Sequence, residues 1–278
     1  MRNHAHVFAA CLAATSFVVA QMQPVVSGSQ GEGSVDWSQR YIVATGIAGV
    51  NPNLPESAQR ASGLRAAKLL ALRNALETVK GMYLNSSTTV QNFMTTSDVV
   101  TTQVNGYLKG FEQEGREKYM SDGSVEITMK IPLDGVGAVG DILFGKSVGE
   151  KPSITSFEGK KAAAEVIFTG LIIDCRGLKI KPALSPKVLD ESGKEVYGSA
   201  YISREWATKY GVVGYSKDVA AAAKLDRVGA KPGTIKAAKA SGDNSTDVVI
   251  AAADAEGVRS SAKNLKFLSE CRVILVID

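Results

Sequence analysis

The sequence predicts a protein of mixed class, α+β with α/β features: a small antiparallel sheet carrying one long helix, followed by a second, mixed α/β module. Three observations predict it. Leu64, Leu72, Ala75, Leu76 and Val79 recur close to every 3.6 residues, the spacing of one helix face. On either side lie runs rich in β-branched and aromatic residues, the later ones broken at Ser121-Asp122-Gly123, a tight-turn sequence. Residues 165–174 (EVIFTGLIID) and 271–277 (CRVILVI) are near-continuous apolar runs of strand length, as expected of strands covered on both faces.

Taken in order, residues 38–50 carry Tyr41, Ile42, Val43 and Ile47 and read as a strand. Asn53 is the expected N-cap of the long helix, with Glu56 as its capping-box partner and Pro55 in the first turn, where a missing N–H costs nothing. Gly81 is the expected stop. Residues 82–104, rich in Ser and Thr, fit neither period. Residues 106–119 and 124–131 read as two strands of a hairpin, which closes a first unit at 36–134 with its helix over one sheet face. Residues 135–160, punctuated by Gly and Pro, read as a linker.

A second unit spans 161–278. Its expected elements are the strand 165–174, a hairpin of 187–190 and 195–197 about Glu191-Ser192-Gly193-Lys194, and a helix capped by Ser203 and ended by Gly211. Next come a short helix capped by Ser216, strands at 234–240 and 247–253, a helix over 255–269 and the final strand. Asn244-Ser245-Thr246 matches a glycosylation sequon, but its place beside Gly242-Asp243 reads as a turn.

At the N-terminus, a weakly basic start, an uncharged apolar run over 7–20 and small residues before Gln21 form the three-part pattern of a secretory signal at 1–20. Residues 21–35 (QMQPVVSGSQGEGSV) are then expected to be a flexible leader. Cleavage after Ala20 removes Cys11 and both histidines, His4 and His6. A mature chain without imidazole has no Ser-His-Asp or Cys-His nucleophile and no histidine metal site. Phe8-Ala9-Ala10-Cys11 loosely resembles a lipid-attachment sequence, so membrane attachment is left open. Lys and Arg number 32 against 28 Asp and Glu, intermixed along the chain, which leaves no concentrated basic face for nucleic acid.

Two nucleotide motifs fail on context. Gly135-Val136-Gly137-Ala138-Val139-Gly140 matches a dinucleotide fingerprint, and the run from Gly140 to Gly145-Lys146-Ser147 matches a phosphate-binding loop. Each needs a helix leading away from the phosphates, and Gly145, Gly149 and Pro152 argue against a long one. No nucleotide, cofactor or metal is expected. Ile142, Leu143 and Phe144 are better suited to anchoring the linker in a groove.

The remaining candidates are of two kinds. Cys175 and Cys271 are the two cysteines left after cleavage; each abuts an apolar strand, and antiparallel pairing would bring them close enough to bridge. Reduced, buried thiols are the alternative. Strand ends gather Asp174 and Arg176, and Asp247 with Asp254, where a ligand or a carboxylate-based hydrolase could place its site. The plainer reading makes Asp174–Arg176 a local ion pair and Asp254 a helix N-cap. On the long helix, Arg65, Lys68 and Arg73, with Arg60 and Lys80, form a basic face, either solvated or offered to a partner.

Gly46, Arg60-Ala61, Ala66-Ala67, Ala71, Arg73-Asn74-Ala75-Leu76-Glu77, Val79-Lys80-Gly81, Asn105-Gly106 and Lys109-Gly110, with the hairpin into Val125-Glu126-Ile127, together resemble the LPP20-type envelope lipoprotein family. Gly170–Asp174, Arg176-Gly177-Leu178, Pro182-Ala183, Asp190, Tyr197-Gly198 and 247–250 are similar to a module that follows this domain in some exported bacterial proteins. The resemblance implies a non-enzymatic role at the outer membrane or periplasm, in some members in flagellar basal structures, and carries no catalytic residue. The expectation is therefore an exported envelope component that assembles with protein partners or itself through the basic helix or the sheet edges.

Overall fold

A computed structural model describes residues 23–29, 32–111, 113–144, 148–154, 156, 167–260 and 262–278. The expected signal segment 1–20 and Gly145-Lys146-Ser147 lie outside the described residues. The fold is of the mixed class expected, with two sheets.

The first sheet has five strands in the order β1-β2-β3-β5-β4, all pairs antiparallel. They are β1 (Val26–Ser29), β2 (Gly33–Asp36), β3 (Tyr41–Ala48), β4 (Lys118–Tyr119) and β5 (Val125–Pro132). Across it lies α1 (Glu56–Gly81), 26 residues and about 39 Å long. Its buried line is Gly63, Ala67, Ala71, Ala75 and Val79, spaced four apart, with Leu64, Leu72 and Leu76 packed half-buried beside it. Small residues let the helix backbone sit directly on the sheet. A Cβ at Gly46 would lie 2.1 Å from the Ala67 carbonyl oxygen and 2.3 Å from the Ala71 nitrogen.

Several expectations about this unit need correction. The expected capping box does not form: Pro55 occupies the cap position without a side-chain bond, and Asn53 instead donates its N–H to the Asn51 side chain. Residues 106–119 are not one strand. Val90, Met94, Val100, Val104 and Leu108 bury a helical stripe on α2 (Val90–Thr95) and α3 (Asp98–Lys109), capped by the hydroxyls of Thr89 and Ser97. The Ser and Thr that obscure the period are thus the helix starts. The leader expected at 21–35 holds two paired strands, with Val25 and Val35 buried and Trp37 beyond them 1% exposed. The linker expected at 135–160 contains α4 (Val139–Phe144), in which Leu143 and Phe144 are buried and Ile142 is half-buried against the core.

The second sheet has seven strands, ordered β8-β7-β11-β10-β6-β12-β9. They are β6 (Leu171–Asp174), β7 (Val188–Asp190), β8 (Glu195–Tyr197), β9 (Gly214–Ser216), β10 (Gly233–Ser241), β11 (Asp247–Ile250) and β12 (Val273–Val276). β10, β6, β12 and β9 are parallel, while β11 and β7 run the other way. Leu171, Ile173, Val273 and Leu275 enter the main core, and Ile172, Ile274 and Val276 enter a small cluster with Ala222 and Val228 on the opposite face. Burial on both faces explains the unbroken apolar runs. The helices are α5 (Arg204–Tyr210), α6 (Val219–Ala222), α7 (Ala252–Arg259) and α8 (Ala262–Ser269). Asp218, not Ser216, caps α6, because Ser216 ends the unexpected strand β9.

The main core is one cluster of buried residues running from Val25 to Ile277, through both sheets. Main-chain bonds cross the junction: Leu184 and Ser185 donate to the carbonyls of Tyr83 and Leu84, and Asn244 donates to that of Ser86. Trp37 meets Tyr215 edge to face at 5.6 Å.

Candidate functional site

A buried ion pair sits at this junction. Arg40, in the turn between β2 and β3 with φ of 61°, forks onto Asp134 at 2.6 and 2.9 Å and reaches the Val213 carbonyl of the second sheet at 3.4 Å. Desolvation by burial pulls its pKa down, but the Asp134 carboxylate outweighs it, and Arg40 is held above the ordinary arginine value. Beside it Arg227 donates to the carbonyls of Tyr210, Gly211 and Cys271 at 2.7 to 2.8 Å, and burial lowers its pKa. Gly211 (φ 68°) is required here, since a Cβ would lie 2.2 Å from the Arg40 guanidinium. No chemistry is exposed at this clamp; its product is a fixed relation between the two sheets. Asp141 adds a second tie, accepting from Arg204, Thr208 and the Gly137 N–H. That carboxylate lies in the first turn of α4, the short helix that begins within the Gly135–Gly140 motif.

The sequence-derived site residues do not converge. Asp174 and Arg176 lie at the C-terminal end of β6 and bind each other through two bonds of 2.7 and 2.8 Å, which hold the carboxyl below its usual range. Asp247 is buried and accepts the Lys187 N–H. Asp254 lies in the first turn of α7 but is not its cap: Ala251 occupies that position, and the Asp254 side chain makes no hydrogen bond or ion pair among the described residues. On α1 the basic residues divide. Arg65 and Lys68 line a shallow groove with Ala61, Leu64, Gln113 and Ile127, and Arg73 lines a different one.

Cys175 and Cys271 are both buried and free. The candidate bridge fails because β6 and β12 pair in parallel, Leu171 with Val273 and Asp174 with Val276. The cysteines therefore flank opposite ends of the pair, about 20 Å apart along the strands, far beyond disulfide reach. Burial raises the Cys175 thiol to about 12 and the Cys271 thiol to about 11. Both stay protonated near neutrality, so neither is a nucleophile. Iodoacetamide at pH 8 is expected to leave both unmodified in the folded protein and to label both in urea; peptide mass mapping checks this. Modification of either thiol in the folded protein would contradict it.

The groove holding Arg73 is not legible in sequence. It encloses about 640 Å³ at the junction of the two units. One wall is the flank of α1, from Leu70 and Arg73 to Glu77 and Gly81. The floor is Ser27, Val35 and Trp37, and the far end is Met82, Tyr83, Lys181 and Pro182. Its volume falls within the range of small-molecule pockets, and it lies between the two units. Among the described residues no cluster of His, Cys, Asp or Glu is arranged to hold a metal ion, and no helix is long and apolar enough to cross a membrane.

Residues 170–278 match the family model described as the second domain of Treponema pallidum Tp0624. The second sheet and its helices are therefore similar to a bacterial C-terminal module. The matched span begins at Gly170, immediately before β6, and ends at the end of the chain. No curated protein matches the chain.

Proposed function

We propose that this chain is an exported component of a bacterial envelope that works by holding protein partners, with no catalytic centre of its own. The observation that carries this reading is the junction: one continuous core and the buried Arg40–Asp134 clamp make two sheets into one body. Such a body presents fixed surfaces, as an assembly component must. Those surfaces are the edge strands β1, β4, β8 and β9 and the exposed side of α1, where Leu69 is 62% exposed among Arg65, Lys68 and Arg73. The secretory pattern at 1–20, the resemblance of 36–134 to LPP20-type envelope proteins and the match of 170–278 to a treponemal domain all support the same reading.

The test is fractionation of the producing bacterium, intact-mass measurement of the protein and co-purification after cross-linking. The expected product begins at Gln21, fractionates with the envelope and is recovered in a complex that is lost when 36–134 is deleted. An uncleaved cytoplasmic product, or a monomer without partners in the envelope, would overturn the proposal.

A further inference from the structure

The groove beside Arg73 is open along one side, and the open side is a sheet edge. β1 pairs with β2 through Val26↔Asp36 to Ser29↔Gly33 and is the last strand of its sheet. Its outward main-chain groups therefore face no strand of the described residues, an arrangement that invites another chain to pair. Ser27, like its partner Val35, faces the groove and accepts a hydrogen bond from the Trp37 indole N–H at 2.7 Å. A strand added outside β1 would drop every second side chain into the same groove, over an apolar floor and against Leu70. Along α1 the groove extends from Leu70 to Gly81, about 17 Å, which is the length of about five extended residues.

The charges say which strand fits. Arg73 stands near one end and makes no hydrogen bond or ion pair among the described residues. Lys181 stands at the other end, over the Tyr83 ring at 5.4 Å, and also has no carboxylate partner among them. Of the two carboxylates on the lining, Glu77 is engaged by Lys80 at 2.9 Å, and Glu32 is exposed. Arg73 and Lys181 at the two ends are thus the cations of the lining without a carboxylate partner among the described residues.

We propose that this groove binds an extended segment of a partner protein by strand addition to β1, with carboxylate side chains near both ends of the segment meeting Arg73 and Lys181. The segment has an apolar residue between the two acids, on the same face of the strand, to cover Val35 and Leu70. Main-chain pairing supplies affinity, and the groove supplies selectivity. The proposal rests on reading the chain as a partner-holding protein and specifies where and what it holds.

The probe is the capped peptide acetyl-Glu-Thr-Val-Thr-Glu-amide, which puts both acids and the valine on one face. Titration into the ¹⁵N-labelled chain from Gln21 onward is expected to shift the amides of β1 and of Leu70–Gly81 saturably. The same peptide with lysines for both glutamates is expected to bind at least tenfold more weakly, a difference of about 1.4 kcal/mol. N-methylation of its three central residues should abolish binding, because strand pairing needs those amides. In the doubly charge-reversed Arg73→Glu, Lys181→Glu protein the preference should switch to the lysine peptide. Equal binding of the two charged peptides, undiminished binding of the N-methylated one, or no saturable shift at all would each overturn the proposal. Because the peptide test needs no native partner, its failure beside a recovered envelope complex would move the docking surface elsewhere and leave the proposed function standing.

Discussion

Asp134→Ala lowers the unfolding free energy by about 3–5 kcal/mol, the cost of breaking a buried ion pair by removing one partner. The size follows from what remains. Arg40 is only 8% exposed, and among the described residues the only other bond of its guanidinium is the long one to Val213, so the variant buries a cation without its ion-pair partner. Arg227, a second cation beside it, has its own affinity for a proton lowered by burial and by the Arg40 charge, and its side-chain hydrogen bonds among the described residues go to carbonyls. Urea denaturation followed by circular dichroism measures the loss. The double replacement Arg40→Met, Asp134→Leu is expected to recover most of it, since exchanging a buried pair for apolar residues of similar size is often neutral. Losses as large in the double variant as in Asp134→Ala would show that lost packing, rather than stranded charge, is the source.

Gly46→Val destabilises by about 3 kcal/mol or more, at or above the upper end of ordinary overpacking. The reason is the identity of the obstructing atoms. At Gly46 the new Cβ meets main-chain atoms of Ala67 and Ala71, which cannot swing aside as a side chain would. Relief requires lifting α1 from β3, and the buried alanine line would lose its contacts along the helix. Gly106, also part of the family-like pattern, provides the contrast. It lies inside α3 with nothing within 4 Å of the place a Cβ would take, so Gly106→Ala is expected to add about 0.5–1 kcal/mol through helix propensity. Thermal or urea melts of the two variants check both signs. A Gly46→Val protein as stable as the parent would mean that helix and sheet are less closely applied than the geometry states.

How much of the fold is legible in the sequence varies with the physical signal. α1, β5, β6 and β12 carry periods or unbroken apolar runs, and β7 and β8 flank a turn sequence, so all six are legible. The segment 82–109 is not, because its helices are short and their Ser and Thr caps dilute the apolar spacing that reveals a longer helix. β1 and β2 resemble a flexible leader in their Gly and Ser content. Their order comes from pairing with β3 and from the burial of Val25, Val35 and Trp37, none of which is local information. The site residues are legible as residue types but not as an arrangement. Asp174 and Arg176 are two apart in sequence, so their pairing can be foreseen, whereas Arg40–Asp134 spans 94 residues.

By itself the sequence determined the class of the fold, the long helix, the apolar strands buried on both faces and the charged exterior of α1. These follow from local spacing and composition. The tertiary structure alone decided that β6 and β12 run in parallel, which separates Cys175 from Cys271 and leaves both thiols free. It also decided that a buried arginine locks two sheets together and that Arg73 and Lys181 stand at the two ends of one groove beside an edge strand. Strand direction and the meeting of distant residues are set by chain topology and by the burial of many weak contacts at once, and no single stretch of residues carries that information.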